Sequence, residues 1–394
     1  MAKTKPVDDL TFPQNTGILR VLFGIGALGL IASFIGFFVD SKQFHFSYLT
    51  SFSYLASFSL ASLFFVMLHH ITRSSWGVTL RRIPETFSYQ LFIVAIMFIP
   101  ILFGMEYLYK WTNPEILATD YLAQHKEPYL NQPFFIIRQF IYFSVWSFLG
   151  YRLYKNSVKM DENADWGIET LQRKISAPGI LLFSLTVAFA SFDWLMSLDF
   201  HWFSTMFGVY YFAMSFQAFF AMLILLGLFL RGRGLLLNTI TRVHIGDAGK
   251  LMFGFTVFYA YIAFSQFFLI YYANIPEETL WYYHRLEGNW SVISYSLIIV
   301  RFAAPFLLLL SKAAKSNFTL LGISSVIIVV IHFFEMHWIV MPTLHYHGFN
   351  MHWLDITTLL GLGGILLGFF FFQFQKHSMV PKNDPKFLES LNKH

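Results

Sequence analysis

GILRVLFGIGALGLIASFIGFFV, residues 17–39, carries one charged side chain, Arg20, and no proline. A helix needs about 20 apolar residues to cross the hydrocarbon core of a bilayer. The run is too long for the apolar part of a cleavable signal, and no small-residue cleavage pattern follows it. It reads as a retained first membrane span. Working outward, nine more spans are predicted: Ser47–Ile71, Phe87–Tyr107, Phe134–Leu153, Pro178–Met196, Ser204–Leu230, Gly249–Tyr272, Ser291–Leu310, Phe318–Met341 and Trp353–Phe374. The fold class expected is all-α and polytopic, with ten transmembrane helices in one integral membrane domain over residues 1–394. Residues 1–16 form an N-terminal segment, 17–196 hold helices one to five, 204–374 hold helices six to ten, and 375–394 form a tail.

Composition agrees. The chain is 56% hydrophobic and only 12% charged, where a soluble domain has about 25% charged residues. So little charge cannot cover a soluble chain of this length, and lipid must solvate much of it. Cysteine is absent. That excludes disulfides, zinc–thiolate sites, iron–sulfur ligation and c-type haem attachment in this chain.

Charge placement gives an orientation. With the N-terminus inside, the inside segments hold 20 Lys and Arg and the outside segments hold 4, with Arg20, Arg138 and Arg301 inside spans. This is the positive-inside pattern, and it predicts both ends in the cytoplasm. Three outside connections stand out. Met105–Pro133 contains Pro114, Pro128 and Pro133 and is expected to hold a short surface helix. The others are Asp199–Phe203 and the acidic, aromatic Asn274–Trp290. Each is either a partner-docking element or an ordinary interfacial loop.

A charge at the bilayer centre costs from about 2.5 to more than 10 kcal/mol, so each one there is paired or used. Arg301 lies roughly 16 Å below the outer face at helical rise. His332 and Glu335, three residues apart, share a face of helix nine. The same rise places Glu335 about 12 Å from Arg301 in depth, with His332 between. The group is either a proton relay or a buried ion pair tying helices eight and nine. In the first half, Asp193 lies in the outer third of helix five, and Arg138 near the outer end of helix four is its expected partner. That pair is either a proton acceptor balanced by an arginine or a clamp.

Helix two carries Ser47, Ser51, Tyr54 and Ser62 on one stripe, with Thr50, Ser53, Ser57 and Ser59 beside it. Such residues build a water wire or hydrogen-bond across a helix interface. Glu85, after Pro84, and Asp247 with Lys250 are expected near the inner face, as proton entry points or interfacial charges. His69 and His70 have no second histidine at matched depth, so no haem pair is expected. His345, His347 and His352 form a weak metal candidate. The suspicious charges, including His337 and Asp355, fall in the middle and outer half, and the inner half is read as comparatively sparse.

Two blocks carry a resemblance. Phe192-Asp-Trp-Leu-Met-Ser-Leu-Asp199, followed by His201-Trp-Phe-Ser-Thr-Met-Phe-Gly-Val-Tyr-Tyr211, is similar to the ActF subunits of alternative complex III. So is Tyr271-Tyr-Ala-Asn-Ile-Pro-Glu-Glu-Thr279 with Trp281-Tyr282. The first block departs from that family at Phe200, where the family favours proline. ActF subunits are NrfD-like membrane subunits of a respiratory quinol:cytochrome c oxidoreductase.

The resemblance implies an NrfD-like fold of two four-helix bundles plus two further helices in a bacterial inner membrane. It implies partners: a sister NrfD-like subunit, an iron–sulfur subunit and c-type cytochrome subunits, with membrane lipid and no nucleic acid. It implies that this chain binds no redox cofactor itself, that menaquinol is oxidised nearby, most directly on the sister subunit, and that this subunit supports assembly and proton translocation. The motif carries over Asp193 and Glu278. Depth and chemistry alone nominate Arg138, Arg301, His332, Glu335, His337, Asp355 and Glu85 for a proton path, and no quinone-binding residue is assigned. A purely structural scaffold is one rival expectation. A secondary transporter is another, hinted at by Pro305 near Arg301; no matching midplane break exists in the first half, because Pro100 lies in the outer part of helix three.

Overall fold

Hydrophobic runs become ten helices long and apolar enough to cross a membrane in the computed structural model, which describes residues 10–14, 16–346 and 348–392. They are α1 (Thr16–Val39), α2 (Ser41–Ile71), α3 (Val78–Phe103), α4 (Gln132–Met160) and α5 (Trp166–Asp199). The second half holds α6 (Phe207–Gly232), α7 (Arg242–Ala273), α8 (Trp290–Leu308), α9 (Phe318–Thr343) and α10 (Trp353–Phe374). No strand occurs among the described residues. The chain is an all-α polytopic membrane protein.

Several helices outrun the apolar boundaries. α2, α3, α5 and α7 begin at Ser41, Val78, Trp166 and Arg242, rather than at Ser47, Phe87, Pro178 and Gly249. The backbone keeps its helical hydrogen bonds past the hydrocarbon edge, and the polar side chains of those turns find protein partners. Helix α3 is interrupted at Gln90. Between α3 and α4 the chain makes several helical turns, Met105–Leu108, Pro114–Thr119 and Tyr121–Lys126, where one surface helix was expected.

Two four-helix bundles form. In the first, α2 packs on α3, α4 and α5, and α4 packs on both α3 and α5. In the second, α6 packs on α7 and α9, and α8 lies against α7 and α9. The bundles meet along α2, α5 and α6. α2 touches both bundles and is buried along most of its length, so its hydroxyls lie inside the protein rather than against lipid.

The two remaining helices, α1 and α10, pack on each other, and α10 packs on α2. Small residues explain how closely they approach. A Cβ on Gly29 would lie 2.5 Å from the Gly361 nitrogen, and one on Gly364 would lie 2.6 Å from the Gly26 nitrogen. Without a hydrophobic drive between helices in lipid, close backbone packing of this kind supplies the attraction. Ser33 Oγ adds a 3.1 Å bond to Thr357 Oγ1 across the seam.

The described ends lie on one face, where Met379 N donates to Leu10 O at 2.7 Å. This basic face also carries the α2–α3, α4–α5, α6–α7 and α8–α9 turns. The opposite face carries the 104–131 segment and the helix Pro276–Leu286. The Asn-Ile-Pro-Glu-Glu block is turn chemistry there. Asn274 caps α7 in the left-handed region at φ 48°, and Pro276, Glu277 and Glu278 occupy the first turn of the next helix. Proline fits that position and acidic side chains complement the helix dipole.

Candidate functional site

Each bundle buries an arginine–carboxylate pair between its third and fourth helices, and these two pairs occupy corresponding places. In the first bundle the third helix, α4, carries Arg138 and the fourth, α5, carries Asp193. In the second bundle the third helix, α8, carries Arg301 and the fourth, α9, carries Glu335. Each carboxylate also takes two tyrosine hydroxyls: Tyr129 and Tyr142 for Asp193, Tyr210 and Tyr259 for Glu335. A glutamine stands at each site, Gln139 and Gln217. The resemblance between halves is invisible in the sequence because the flanking residues differ.

Asp193 is saturated. Arg138 donates Nε to Oδ2 and Nη2 to Oδ1, both at 2.9 Å. Tyr129 and Tyr142 each donate at 3.0 Å, and Gln139 Nε2 at 3.3 Å. The guanidinium lies 3.9 Å from the Tyr129 ring centroid, and its Nη1 donates to Tyr129 O at 2.8 Å. Trp194 locks Gln139 by donating Nε1 to Oε1 at 2.7 Å. The fork-on-fork geometry and five donors fill the lone pairs of the carboxylate. A proton or water reaches it only by displacing a donor.

The second cluster is less closed. Glu335 Oε1 accepts from Tyr210 and, at 2.6 Å, from Tyr259. Its Oε2 faces Arg301 Nη1 as an ion pair, with no hydrogen bond from any other described group. Arg301 also donates Nη2 to Met214 O at 2.9 Å and Nε to Gln217 Oε1 at 3.2 Å, and its charge lies 4.5 Å from the Tyr259 ring centroid. The expected gap of about 12 Å in depth between Arg301 and Glu335 does not exist. Trp338 Nε1 donates to Ser294 Oγ at 2.8 Å, which sets Arg301, seven residues down α8, level with His332 on α9.

The backbone helps. Leu297–Ala303 is a π-helical turn around Arg301. Pro305 has no N–H for the Arg301 carbonyl, and Gln217 Nε2 approaches that oxygen at 3.5 Å.

His332 connects this cluster to the first bundle. Ser57 Oγ donates to Tyr54 O at 2.6 Å, so the 2.9 Å bond between Ser57 Oγ and His332 Nε2 is donated by the imidazole. Nδ1 is then the acceptor for Arg301 Nη1 at 3.1 Å. The geometry selects the neutral Nε2–H tautomer.

Along the rest of α2 some hydroxyls bond across to neighbours, Thr50 and Ser62 bond back to their own helix, and Ser53 and Ser59 have no partner among the described residues. Ser47 Oγ donates to Asp355 Oδ1 at 2.6 Å, and Ser51 shares a 2.8 Å bond with Thr358. Tyr54 reaches Val329 O at 3.1 Å, while Ser62 bonds back to Phe58 O. Asp355 Oδ2 accepts the His352 N–H at 2.8 Å as a helix cap and faces His337 Nε2 at 3.3 Å. His345 Nε2 is 2.6 Å from Gln43 Oε1. His347 lies outside the described residues, and no group of three metal-ligating side chains occurs among those described.

Glu85 corrects its expected place. It is not an interfacial charge but a fully buried one, two turns into α3. It accepts Arg81 Nε and Ser157 Oγ, each at 2.7 Å, with Arg82 Nη1 at 3.6 Å. The half toward the basic face is therefore rich in buried polar groups, because helices prolonged past the apolar boundary bring their own polar turns inward. Asp247 and Lys250 pair at 2.8 Å, with the lysine half exposed.

Sequence reasoning also missed Arg285, read as a loop charge. It is buried, and donates Nε to Trp338 O at 3.1 Å and Nη2 to Ile339 O at 2.8 Å, capping the end of α9. Burial pushes its guanidinium down to about 9. It stacks 3.5 Å from the Trp281 ring centroid. The spacing of tryptophan and arginine four residues apart was the available signal.

No protein-family model and no curated protein matches this chain.

Proposed function

We propose that this chain is a membrane subunit without redox centres in a respiratory quinol:cytochrome c oxidoreductase of the alternative complex III kind, and that it relays protons through its second bundle. In this reading it sits in a bacterial inner membrane with the basic face toward the cytoplasm. Its partners are a sister NrfD-like subunit, an iron–sulfur subunit and c-type cytochromes. The resemblance of the Phe192–Asp199 and Tyr271–Thr279 blocks supports the assignment to that complex. Quinol oxidation releases protons and electrons together. With no cysteine in this chain, the electrons pass to clusters and haems on partners.

The observation that carries the relay is the link from Glu335 through His332 to Ser57. Glu335 is buried against Arg301 and two tyrosine hydroxyls. His332 presents Nδ1 to that cluster and Nε2–H to Ser57 on α2. Once Arg301 Nη1 releases Nδ1, taking a proton at Nδ1 and giving one from Nε2 moves one proton from the Glu335 side to the α2 side without turning the ring.

Glu335→Gln is expected to lower proton release per turnover in the complex that still assembles. Unchanged proton release sinks the relay. A structural role is favoured for Asp193 by its five donors, so Asp193→Asn is expected to lower yield instead. Purification from native membranes is expected to bring down cytochromes and iron–sulfur protein; an isolated, active solute carrier would overturn the assignment.

A further inference from the structure

We infer that the segment Ser378–Leu391 is a lid over an aqueous entry into the first bundle, latched by Arg81. The inference deepens the proton-relay reading, on which its functional consequence rests, by naming the side of entry and the acid at its mouth. From the basic end of that bundle to the middle of α3, His69, His70, Thr79, Arg82, Ser176 and Gln90 are buried, and each has a side-chain nitrogen or oxygen with no protein partner. An unpartnered buried polar atom costs about 1–3 kcal/mol, and ordered water is the usual remedy. Six such residues gathered in one helix bundle make its interior hydrophilic. Glu85 is the ionisable group among them.

The lid crosses this opening. Asn383 Nδ2 donates to Asp161 O at 2.7 Å, after α4. Lys386 Nζ reaches Arg73 O at 2.9 Å, after α2, and Glu169 Oε1 at 3.3 Å, in the first turn of α5. Ser75 Oγ donates to Glu389 Oε1 at 2.8 Å, and Ser390 O meets His244 Nε2 of α7 at 3.0 Å. The central bond is from Arg81 Nη2 to Asp384 Oδ2 at 2.6 Å, with Asp384 buried. Arg81 gives its Nε to Glu85 on the inside. One guanidinium thus joins the lid to the buried acid.

Met379, Val380 and Pro381 are buried and Phe387 packs against the core, while the other attachments are polar and Leu388 is exposed. Polar clamps exchange for water at little net cost, whereas apolar docking does not. Release of Asp384 leaves Arg81 with one carboxylate and opens Glu85 to the aqueous phase on the basic side.

The chain has no native cysteine, which makes the test direct. Thr79→Cys places one thiol in the interior. Its labelling by a membrane-impermeant maleimide is followed on this chain in sealed native-membrane vesicles that expose the basic side. Labelling is expected to be slow in Thr79→Cys alone and about tenfold faster when Asp384→Asn is added, as for a local opening made easier. Asp384→Glu keeps the carboxylate and is expected to stay slow. Lys386→Ala, which spares Arg81, is expected to give an intermediate rate. Equal rates across these variants, or fast labelling in Thr79→Cys alone, overturn the lid. Proton uptake is read separately. Faster labelling with unchanged uptake keeps the lid and removes its link to proton entry; equal labelling discards the lid whatever Glu335→Gln does.

Discussion

Trp338 donates its indole N–H to the Ser294 hydroxyl at 2.8 Å, and this bond sets the register in which Arg301 finds Glu335. Counting each helix from its first apolar residue separates the two charges. Counting from the shared bond brings them together.

That register is testable. Trp338→Phe removes the donor while keeping an aromatic ring. A lost hydrogen bond of this kind is expected to cost about 1 kcal/mol. Thermal unfolding in detergent checks it, and adding Trp338→Phe to Ser294→Ala, which also loses the bond from Ser294 to Arg285 O, is expected to cost little more than Ser294→Ala alone.

The second cluster is expected to be lopsided in its response. Arg301→Gln leaves Glu335 buried without its counter-charge and is expected to destabilise by about 3–5 kcal/mol. Adding Glu335→Gln removes the orphaned charge, so the double variant is expected to be more stable than Arg301→Gln. A double variant that unfolds at the sum of the two single losses contradicts the pairing.

At Asp193 the tyrosines act as separate donors. Tyr142→Phe and Tyr129→Phe are each expected to cost about 1 kcal/mol, and Arg138→Gln considerably more. The yield of assembled, folded protein after extraction ranks them.

The close seam between α1 and α10 has no room for a side chain at Gly29. Gly29→Val is expected to push the helices apart and to cost about 1–3 kcal/mol by overpacking. Protease sensitivity of the α1–α2 turn and thermal stability are the readouts. Gly24→Ala, with open space around it, is the matched control.

Two carboxylates at the basic face titrate in opposite directions. Burial pushes Asp161 up to about 6 against the pull of Arg82. The folded protein then binds more protons there than the unfolded chain between about pH 4 and 6, so this group makes stability fall as pH rises through that window. Asp161→Asn is expected to flatten that slope. Burial also acts to raise Asp384, but the Arg81 guanidinium outweighs it and holds the carboxyl below its ordinary value. Its contribution is present above the unfolded value near 4 and is lost as pH falls below it. Unfolding midpoints measured across pH 3 to 7 separate the two.

What the sequence showed of the site follows from how each group is presented. Arg138 and Asp193 sit near the same ends of adjacent helices, so their pairing was readable. Glu335 and His332 were readable as one helix face, but not their height against Arg301. Glu85 was read on the correct face but as an interfacial charge, because hydropathy marks where lipid ends, and the helix does not stop there. Arg285 was misread because a charge in a connection looks solvated until the carbonyls of Trp338 and Ile339 are brought to it.

By itself the sequence determined the ten helices and the crowding of Lys and Arg onto alternate connections. Both follow from local composition: about 20 apolar residues span the hydrocarbon core whatever lies elsewhere, and charge is counted loop by loop. Only the tertiary structure decided the partners. Which hydroxyl meets His332, which carboxylate takes Arg81 and which half of the protein is polar inside depend on register between helices distant in the chain. A shift of one turn, about 5.4 Å, exchanges one set of partners for another without changing a single hydropathy value.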